Sequence, residues 1–175
     1  MTVKCRRVVT GLDAAGKSTV IFDGPAPSVI GLGDLWPGMQ VTTLWATEGS
    51  PVDNSGNADL SLQQLGHDPS PNGTIFRFYE FPPDSVRPPM PSKLLGLQGW
   101  TEDDLKINDM MHATNSTDYL VIFSGEMTMV MEDKTEVVLR RGDCLVQRGT
   151  KHGWSNRGKE PVLLFVALSG AEPLK

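Results

Sequence analysis

The chain lacks the positive charge that a nucleic-acid or membrane partner requires. Its 175 residues carry 16 Lys and Arg against 21 Asp and Glu, a formal net charge of −5, and they contain no run of basic residues. Binding to a phosphate backbone or to an anionic lipid surface needs a positive field. We therefore expect neither nucleic acid nor membrane as a partner.

Long apolar runs and paired cysteines are also missing. No stretch of 18 apolar residues occurs, so no membrane-spanning helix is expected. No apolar segment follows the basic residues near the N-terminus, as a signal peptide would require. Cys5 and Cys144 lie far apart in no paired motif, so each is expected to be a reduced thiol. Together these features predict a soluble, cytoplasmic protein.

What the sequence does contain is a series of short β-prone runs separated by Gly, Pro, Asn and Asp. These runs favour one all-β domain, a barrel or a sandwich. In the run 73–81, strand alternation places Arg77 and Tyr79 on the same face. If that face lines the barrel, both are candidates to orient an acidic or polar ligand. The alternative places Arg77 at a sheet margin and Tyr79 in the core.

Two irregular stretches interrupt these runs. Residues 48–72 are mostly polar and are interpreted as a surface excursion with one helical turn near 60–65, in which His67 is a solvated loop residue. Residues 85–109 are rich in proline until Thr101, whose hydroxyl and following acids predict the start of a short helix. This second stretch is either a rim over the barrel mouth or a structural connector.

Residues 11–18 match the phosphate-loop pattern G-x4-G-K-[ST], with Lys17 as its lysine. That pattern binds nucleotides where a strand leads into the loop and a helix follows it. Here β-branched residues, a glycine and two prolines follow instead, and they disfavour a helix. We therefore expect a β-hairpin that turns at residues 13–16, and no nucleotide cofactor.

The C-terminal half carries two blocks of spaced residues. They read His112-x-Thr114-x3-Asp118-x6-Gly125 and Gly142-x4-Gln147-x-Gly149-x2-His152-x3-Asn156. In order and spacing they resemble the two motifs of the cupin superfamily, G-x5-H-x-H-x3-4-E-x6-G and G-x5-P-x-G-x2-H-x3-N. The chain departs from those motifs at four positions, where Lys106 replaces Gly, Thr114 replaces His, Asp118 replaces Glu and Gln147 replaces Pro.

The resemblance implies a fold and a domain plan. We expect an all-β, cupin-type double-stranded β-helix, that is, a jelly-roll barrel, as a single domain over residues 1–175. Residues 106–170 would hold the core motifs, and residues 1–105 would add strands and loops to the barrel. Cupins of this size often pair through edge strands, because an open barrel has edges to cover. The resemblance therefore also implies a homodimer.

The resemblance further implies a site. His112, Asp118 and His152 would hold a divalent metal ion, one of Fe, Zn, Mn or Ni, and with Thr114 they are the expected catalytic residues. The alternative is a metal-free, hydrogen-bonded cluster of the same three side chains, in which the carboxylate favours imidazolium. The candidate substrate-binding residues are Arg77, Tyr79, Tyr119, Gln147 and Trp154.

The implied function is that of a small metalloenzyme acting on a small organic metabolite, carboxylated or aromatic. Dioxygenase, decarboxylase, lyase and isomerase chemistry all stay open, since a fold does not choose between reactions. The alternative is a metal-free cupin that binds a small molecule without catalysis. Stoichiometric metal in the purified protein would distinguish the two.

Overall fold

Strands form most of the regular structure. The computed structural model describes residues 4–89 and 96–174. Its strands are β1 (Arg6–Leu12), β2 (Ser18–Pro25), β3 (Ser28–Gly31), β4 (Gln40–Thr47), β5 (Thr74–Phe81), β6 (Ser116–Ser124), β7 (Glu126–Met131), β8 (Glu136–Arg140), β9 (Cys144–Gln147), β10 (His152–Ser155) and β11 (Val162–Gly170). Helix α1 (Glu102–Ile107) precedes β6, and short 3₁₀ turns occur at Gly33–Leu35, Leu60–Leu62 and Asp84–Val86. Among these described residues no helix is long and apolar enough to cross a membrane.

The strands pair antiparallel in three sheets within the described part of the chain. The large sheet has the order β3-β4-β5-β11-β6-β9, the small sheet has the order β10-β7-β8, and β1 and β2 form a separate hairpin. The main core contains Met127, Met129 and Trp154 from the small sheet, packed with residues such as Tyr79 and Leu164 from the large one. The core therefore lies between the two sheets, and the predicted all-β jelly-roll fold is confirmed.

The alternation of residues in the long strands decides which side chains face inward. In β11 the residues Val162, Leu164, Val166 and Leu168 are buried, and the residues between them are less buried. In β5 the alternation that places Arg77 and Tyr79 on one face turns that face toward the barrel interior. β11 thus follows the two-residue period of a strand covered on its inner face, whereas β5 is buried on both faces from Arg77 to Phe81.

The N-terminal strands are continuous with the C-terminal ones. β5 pairs with β11 from Thr74 to Phe81, and β11 pairs on its other side with β6. Residues 1–105 therefore supply β3, β4 and β5 of the large sheet.

The residues that resemble a phosphate loop form the turn of a hairpin. The backbone N–H of Gly16 donates to the carbonyl of Asp13 at 3.0 Å, and Gly16 has a φ of +75°. The Asp13 side chain accepts hydrogen bonds from the backbone N–H groups of Ala15 and Lys17. Strand β2 follows this turn where a phosphate loop requires a helix, so the hairpin interpretation is confirmed.

The sequence analysis did not predict strands β3 and β10, but it did predict helix α1. β3 lies in a Pro- and Gly-rich stretch without clear alternation, and it forms one edge of the large sheet, where short strands are common. β10 is only four residues long. The helix predicted after Thr101 is present as α1, and the helical turn predicted near 60–65 is present at Leu60–Leu62.

Candidate functional site

A cavity of about 290 Å³ lies inside the barrel. Most of its wall is apolar, formed by Ile30, Leu32, Trp36, Met39, Val41, Leu65, Phe81, Leu97, Met110, Leu120, Trp154, Leu164, Val166 and Leu168. Its polar groups are few: His67, Arg77, Tyr79, His112, Asp118 and His152. An apolar cavity with a small number of polar groups is typical of a site for a small organic ligand.

His112 and His152 are placed side by side by their backbones. They form an antiparallel bridge in which each N–H donates to the other's carbonyl at 2.9 Å, and their ring centroids are 4.4 Å apart. The turn before His152 passes close to this segment at Gly149, which has a φ of +66°. A Cβ there would lie 2.9 Å from the carbonyl oxygen of Thr114, so the close approach requires glycine.

Both rings have the same tautomer. Nδ1 of His112 lies 2.8 Å from the carbonyl oxygen of Met110, and Nδ1 of His152 lies 2.9 Å from that of Thr150. A carbonyl oxygen only accepts hydrogen bonds, so each Nδ1 carries the proton and donates it. Nε2 of each ring is then left with a lone pair.

Both imidazoles are neutral at physiological pH. Burial lowers the pKa of His152 from 6.5 to about 4. Burial, reinforced by the neighbouring His152, lowers the pKa of His112 well below its ordinary value. Burial thus disfavours the imidazolium that the metal-free alternative expected at these two rings.

Asp118 is occupied by a neighbour on its own strand. The hydroxyl of Ser116 donates to Oδ1 of Asp118 at 2.5 Å, and the carboxyl is buried. Burial raises the pKa of Asp118, and the hydrogen bond from Ser116 opposes that rise. Asp118 lines the same cavity as the two histidines, but its Oδ1 already accepts the hydrogen bond from Ser116.

The residues do not assemble into a metal site with three protein ligands. Across residues 4–89 and 96–174, no group of three or more His, Cys, Asp or Glu side chains is placed to hold a metal ion. The predicted set of His112, Asp118 and His152 is thus not convergent in this arrangement. A protein site for a divalent metal commonly supplies three such ligands, so the donor set here does not fit one.

His67 joins the cavity, contrary to the expectation of a solvated loop residue. Its ring is partly buried, and its centroid lies 5.4 Å from that of His112. Its Nδ1 lies 2.9 Å from Oδ1 of Asp68, whose other oxygen accepts the backbone N–H of Asn115. A carboxylate accepts hydrogen bonds, so Nδ1 of His67 carries a proton, as Nδ1 does in the other two rings. No hydrogen bond to any Nε2 occurs among the described residues.

Arg77 is the reason that His67 lies at the cavity. The guanidinium is buried, and it donates to the backbone carbonyls of His67 at 2.8 Å and of Gly66 at 2.5 Å. It also donates to the hydroxyl of Tyr79 at 3.4 Å. All these acceptors are uncharged oxygens, and the Nε of Arg77 finds no acceptor in the described part of the chain. Arg77 therefore keeps an unpaired donor beside the cavity.

The other predicted site residues differ in position. Trp154 lines the cavity, with its ring edge-on to His152 at 5.3 Å. Thr114 is buried, and its hydroxyl lies near Asp118, where it adds to the effect of Ser116 in opposing the rise of the Asp118 pKa. Gln147 is buried opposite Asp118 in the sheet, and its amide nitrogen donates to Thr150. Tyr119 is 57% exposed on the outer face of β6 and is not brought to the cavity.

The fold and the cavity together define a class of protein: a jelly-roll barrel with an internal site, two of whose histidines come from two spaced sequence blocks. Comparison with known proteins agrees with this class. The family profile described as "Cupin domain" matches residues 104–168. The chain is 32% identical to the phomopsin biosynthesis cluster protein C' of Diaporthe leptostromiformis, over 97% of this chain and 80% of that protein.

Two further relatives and one solved structure are similar to the chain. The cupin-domain-containing oxidoreductase virC of Hypocrea virens is 25% identical, over 96% of this chain and 77% of its own length. The cupin-domain-containing oxidoreductase fogC of Aspergillus ruber is 27% identical, over 93% of this chain and 71% of its own length. The cupin domain of Schizosaccharomyces pombe Cnp3 is 12% identical, over 96% of this chain and 89% of that domain, with a TM-score of 0.46. The chain belongs to the cupin superfamily.

Proposed function

We propose that this cupin is an enzyme of small-molecule biosynthesis that moves a proton on a small, largely apolar substrate carrying a carbonyl or carboxylate group. The observation that carries the proposal is the meeting of all three histidines of the chain at one apolar cavity. Each ring has its Nδ1–H fixed by an acceptor, and the neutral rings of His112 and His152 keep Nε2 free to accept a proton. This is an arrangement suited to general base catalysis.

His112 is the residue we assign as the proton acceptor. It lies between the other two rings, at 4.4 Å from His152 and 5.4 Å from His67. In the proposed step, a C–H bond next to the substrate carbonyl breaks, the proton goes to Nε2 of His112, and the electron pair is delocalised onto the carbonyl oxygen. Returning the proton at another carbon gives an isomerase, and loss of a leaving group gives a lyase.

Arg77 and Tyr79 are the groups we assign to the substrate oxygen. The Tyr79 hydroxyl accepts a hydrogen bond from Arg77, so its own O–H is available to donate into the cavity that it lines. A positive guanidinium behind that hydroxyl favours negative charge as it develops on the substrate oxygen. This assignment favours substrates with a carboxylate or an enolisable carbonyl over hydrocarbons of the same size.

The second candidate is a metal-dependent oxidoreductase. The two relatives virC and fogC bear the name oxidoreductase. In addition, a metal-binding histidine commonly donates a hydrogen bond from its second ring nitrogen to a carbonyl oxygen, as His112 and His152 do. An iron, zinc, manganese or nickel ion would then bind at this pair and supply redox or Lewis-acid chemistry. Because the described residues offer no three-donor set, we derive no step through a metal.

The test is proton exchange in D₂O combined with elemental metal analysis. Purified protein is incubated with a panel of small aryl ketones and 2-oxo acids, and ¹H NMR follows the loss of the proton next to the carbonyl. We expect exchange by the wild type without stoichiometric metal, exchange abolished in His112→Gln, and exchange retained in the exposed control Tyr119→Phe. Exchange that requires added metal would favour the second candidate, and exchange that survives His112→Gln would contradict the assignment.

A further inference from the structure

The cavity has two chemically different ends, and the register of the large sheet shows where they lie. Along the inner face of β5, Arg77, Tyr79 and Phe81 follow one another at two-residue steps of about 7 Å. Asp118 lies at the Arg77 end, since β11 sets it opposite the start of β5. The ionisable groups of this wall therefore lie near the start of β5, and a phenyl ring lies at its end.

Across the cavity, the imidazoles lie at the same end as Arg77. The guanidinium of Arg77 donates to the carbonyl of His67, whose ring centroid is 5.4 Å from that of His112. His152 follows, with its ring centroid 4.4 Å from that of His112. We name Arg77 and these three histidines the polar end of the cavity.

The other end of the cavity is aromatic. Trp154 follows His152 on β10, and the amide of Asn156 beyond it donates to the carbonyl of Phe81 at 3.0 Å. This hydrogen bond joins the end of β10 to the end of β5. Trp36 lies at the same end, with its ring edge-on to that of Phe81 at a centroid distance of 5.8 Å. We name Trp36, Phe81 and Trp154 the aromatic end.

Contacts with neighbouring side chains hold the rings of the aromatic end in place. The guanidinium of Arg87 lies 5.4 Å from the centroid of the Trp36 ring, and it forms a salt bridge with Asp109 at 2.6 Å. The ring of Phe81 is stacked on that of Tyr79 at 5.5 Å. A surface that is already ordered binds a ligand at a lower entropic cost. The aromatic end is therefore a preorganised surface for an apolar group.

The volume of the cavity limits the size of that ligand. An apolar cavity of about 150 Å³ accommodates one benzene ring, and this cavity measures about 290 Å³. It therefore has room for one ring and a short side chain. Aromatic rings in edge-to-face or stacked contact attract each other beyond the gain from buried area alone. The aromatic end thus favours an aryl ring over a saturated ring of the same size.

We infer that the substrate is an aryl-substituted carbonyl compound, with its ring at the aromatic end and its carbonyl on a short side chain at the polar end. This inference rests on the proposed function for the reacting group, and it adds the aryl ring and the residues that select it. The C–H bond that breaks then belongs to the carbon between the ring and the carbonyl. Its proton goes to Nε2 of His112, and its electron pair goes to the carbonyl oxygen, which gives an enolate conjugated with the ring.

Isothermal titration calorimetry with two ketones of matched size, phenylacetone and cyclohexylacetone, tests the inference. We expect the wild type to bind phenylacetone about threefold to tenfold more tightly, because only the phenyl ring gains aromatic contacts. Trp36→Leu and Phe81→Leu should each remove most of this preference, and the second variant serves if the first does not fold. The control is Phe78→Leu, at a buried phenylalanine of the second core cluster on the other face of β5, and it should keep the preference.

Nuclear Overhauser effects locate the bound ring. The phenyl protons of phenylacetone are expected to give cross-peaks to the indole protons of Trp36 and Trp154. Cross-peaks to the His67 ring in their place would reverse the orientation and overturn the assignment of the two ends.

Binding and turnover fail separately in these experiments. A wild type that prefers phenylacetone, but does not exchange its protons in D₂O, would contradict the proposed function and support the selection of an aryl ring. Equal affinity for the two ketones, or no binding of either at millimolar concentration, would overturn the inference. A preference that survives in both folded variants, or that Phe78→Leu also loses, would show that the aromatic end does not select the ring.

Discussion

Two neutral imidazoles side by side, those of His112 and His152, are a demanding arrangement, and the surroundings of each ring explain how it persists. A positive charge on either of these two rings would be destabilised by burial in the apolar wall. Burial lowers the pKa of His112 and His152, and each of these two rings donates its single proton to a backbone carbonyl. These two buried rings thus present lone pairs to the cavity without carrying charge themselves. This is consistent with a substrate that supplies the negative group and finds its donors at Arg77 and Tyr79.

His152 makes the stability of the fold depend on pH. Its pKa is about 4 when folded and 6.5 ordinarily, so between these values the unfolded chain binds more protons and stability rises with pH. From pH 7 to pH 5 the free energy of unfolding should fall by about 2 kcal/mol through this residue. The lowered pKa of His112 acts in the same direction, and the raised pKa of Asp118 opposes it.

Urea denaturation at the two pH values measures this dependence. His152→Gln is expected to flatten it by most of that amount, because glutamine does not titrate. A variant with the wild-type pH dependence would show that His152 is not buried as a neutral ring.

Arg77 holds the loop that delivers His67, so its removal should have two separate effects. Arg77→Leu leaves the carbonyls of Gly66 and His67 without their donors, a loss of roughly 2–4 kcal/mol. It should also shift the NMR signals of the His67 ring more than those of His152. Arg77→Lys keeps a charged donor and should lose less stability. An unchanged His67 signal in Arg77→Leu would contradict the positioning role.

The contrast between His67 and the other two histidines shows where sequence reasoning succeeds. His112 and His152 belong to spaced blocks whose register is set by local backbone, so the resemblance located both. His67 lies in a polar excursion with no periodicity. Its place at the cavity depends on a buried arginine ten residues later and on Asp68, which is anchored at Asn115. A long-range contact of this kind leaves no local pattern to recognise.

At the scale of elements, strands with regular alternation were predictable from the sequence, and very short strands were not. The strands from β4 to β9 carry alternating or continuous β-prone residues, and α1 carries a recognisable N-cap. Strand β10 has only four residues, and Gly153 within it approaches Asn108 so closely that a Cβ would lie 2.5 Å from its side chain. Its pairing with β7 and with the segment at His112 is a tertiary result.

Helix α1 should depend strongly on its first turn, because it is only six residues long. The Thr101 hydroxyl accepts the backbone N–H of Asp104 at 3.2 Å, and the Asp104 carboxylate accepts that of Thr101 at 2.7 Å. Thr101→Ala should cost about 1 kcal/mol, and Thr101→Ser should be close to the wild type.

Asp104 also forms a salt bridge with Lys151 at 2.9 Å, so Asp104→Ala should cost more than Thr101→Ala. Chemical denaturation of the three variants gives this ranking. Equal losses for the two alanine variants would mean that the link from α1 to the start of β10 contributes no stability.

At the scale of the whole molecule, the barrel depends on strands from both halves of the sequence. β11 is the last strand in the chain, yet it lies between β5 and β6 in the large sheet. The inner face of β5 contributes Tyr79 and Phe81 to the main core, and Trp36 comes from the same N-terminal half. The cavity likewise combines His67 and Arg77 with His112 and His152. The region of the two spaced sequence blocks therefore forms one side of a core whose other side comes from residues earlier in the chain.

This arrangement predicts that a fragment of residues 104–175, which contains the matched cupin region, does not fold alone. Without β5 the fragment exposes one edge of β11 and the apolar side chains that Tyr79 and Phe81 cover, and burial of such side chains is the main source of stability. We expect no cooperative urea transition and poor dispersion in the ¹H–¹⁵N NMR spectrum. Adding a fragment of residues 1–103 in trans is the control, and it should restore dispersion because β5 can then pair with β11. A cooperative transition of the 104–175 fragment by itself would show that the C-terminal strands form a self-sufficient core.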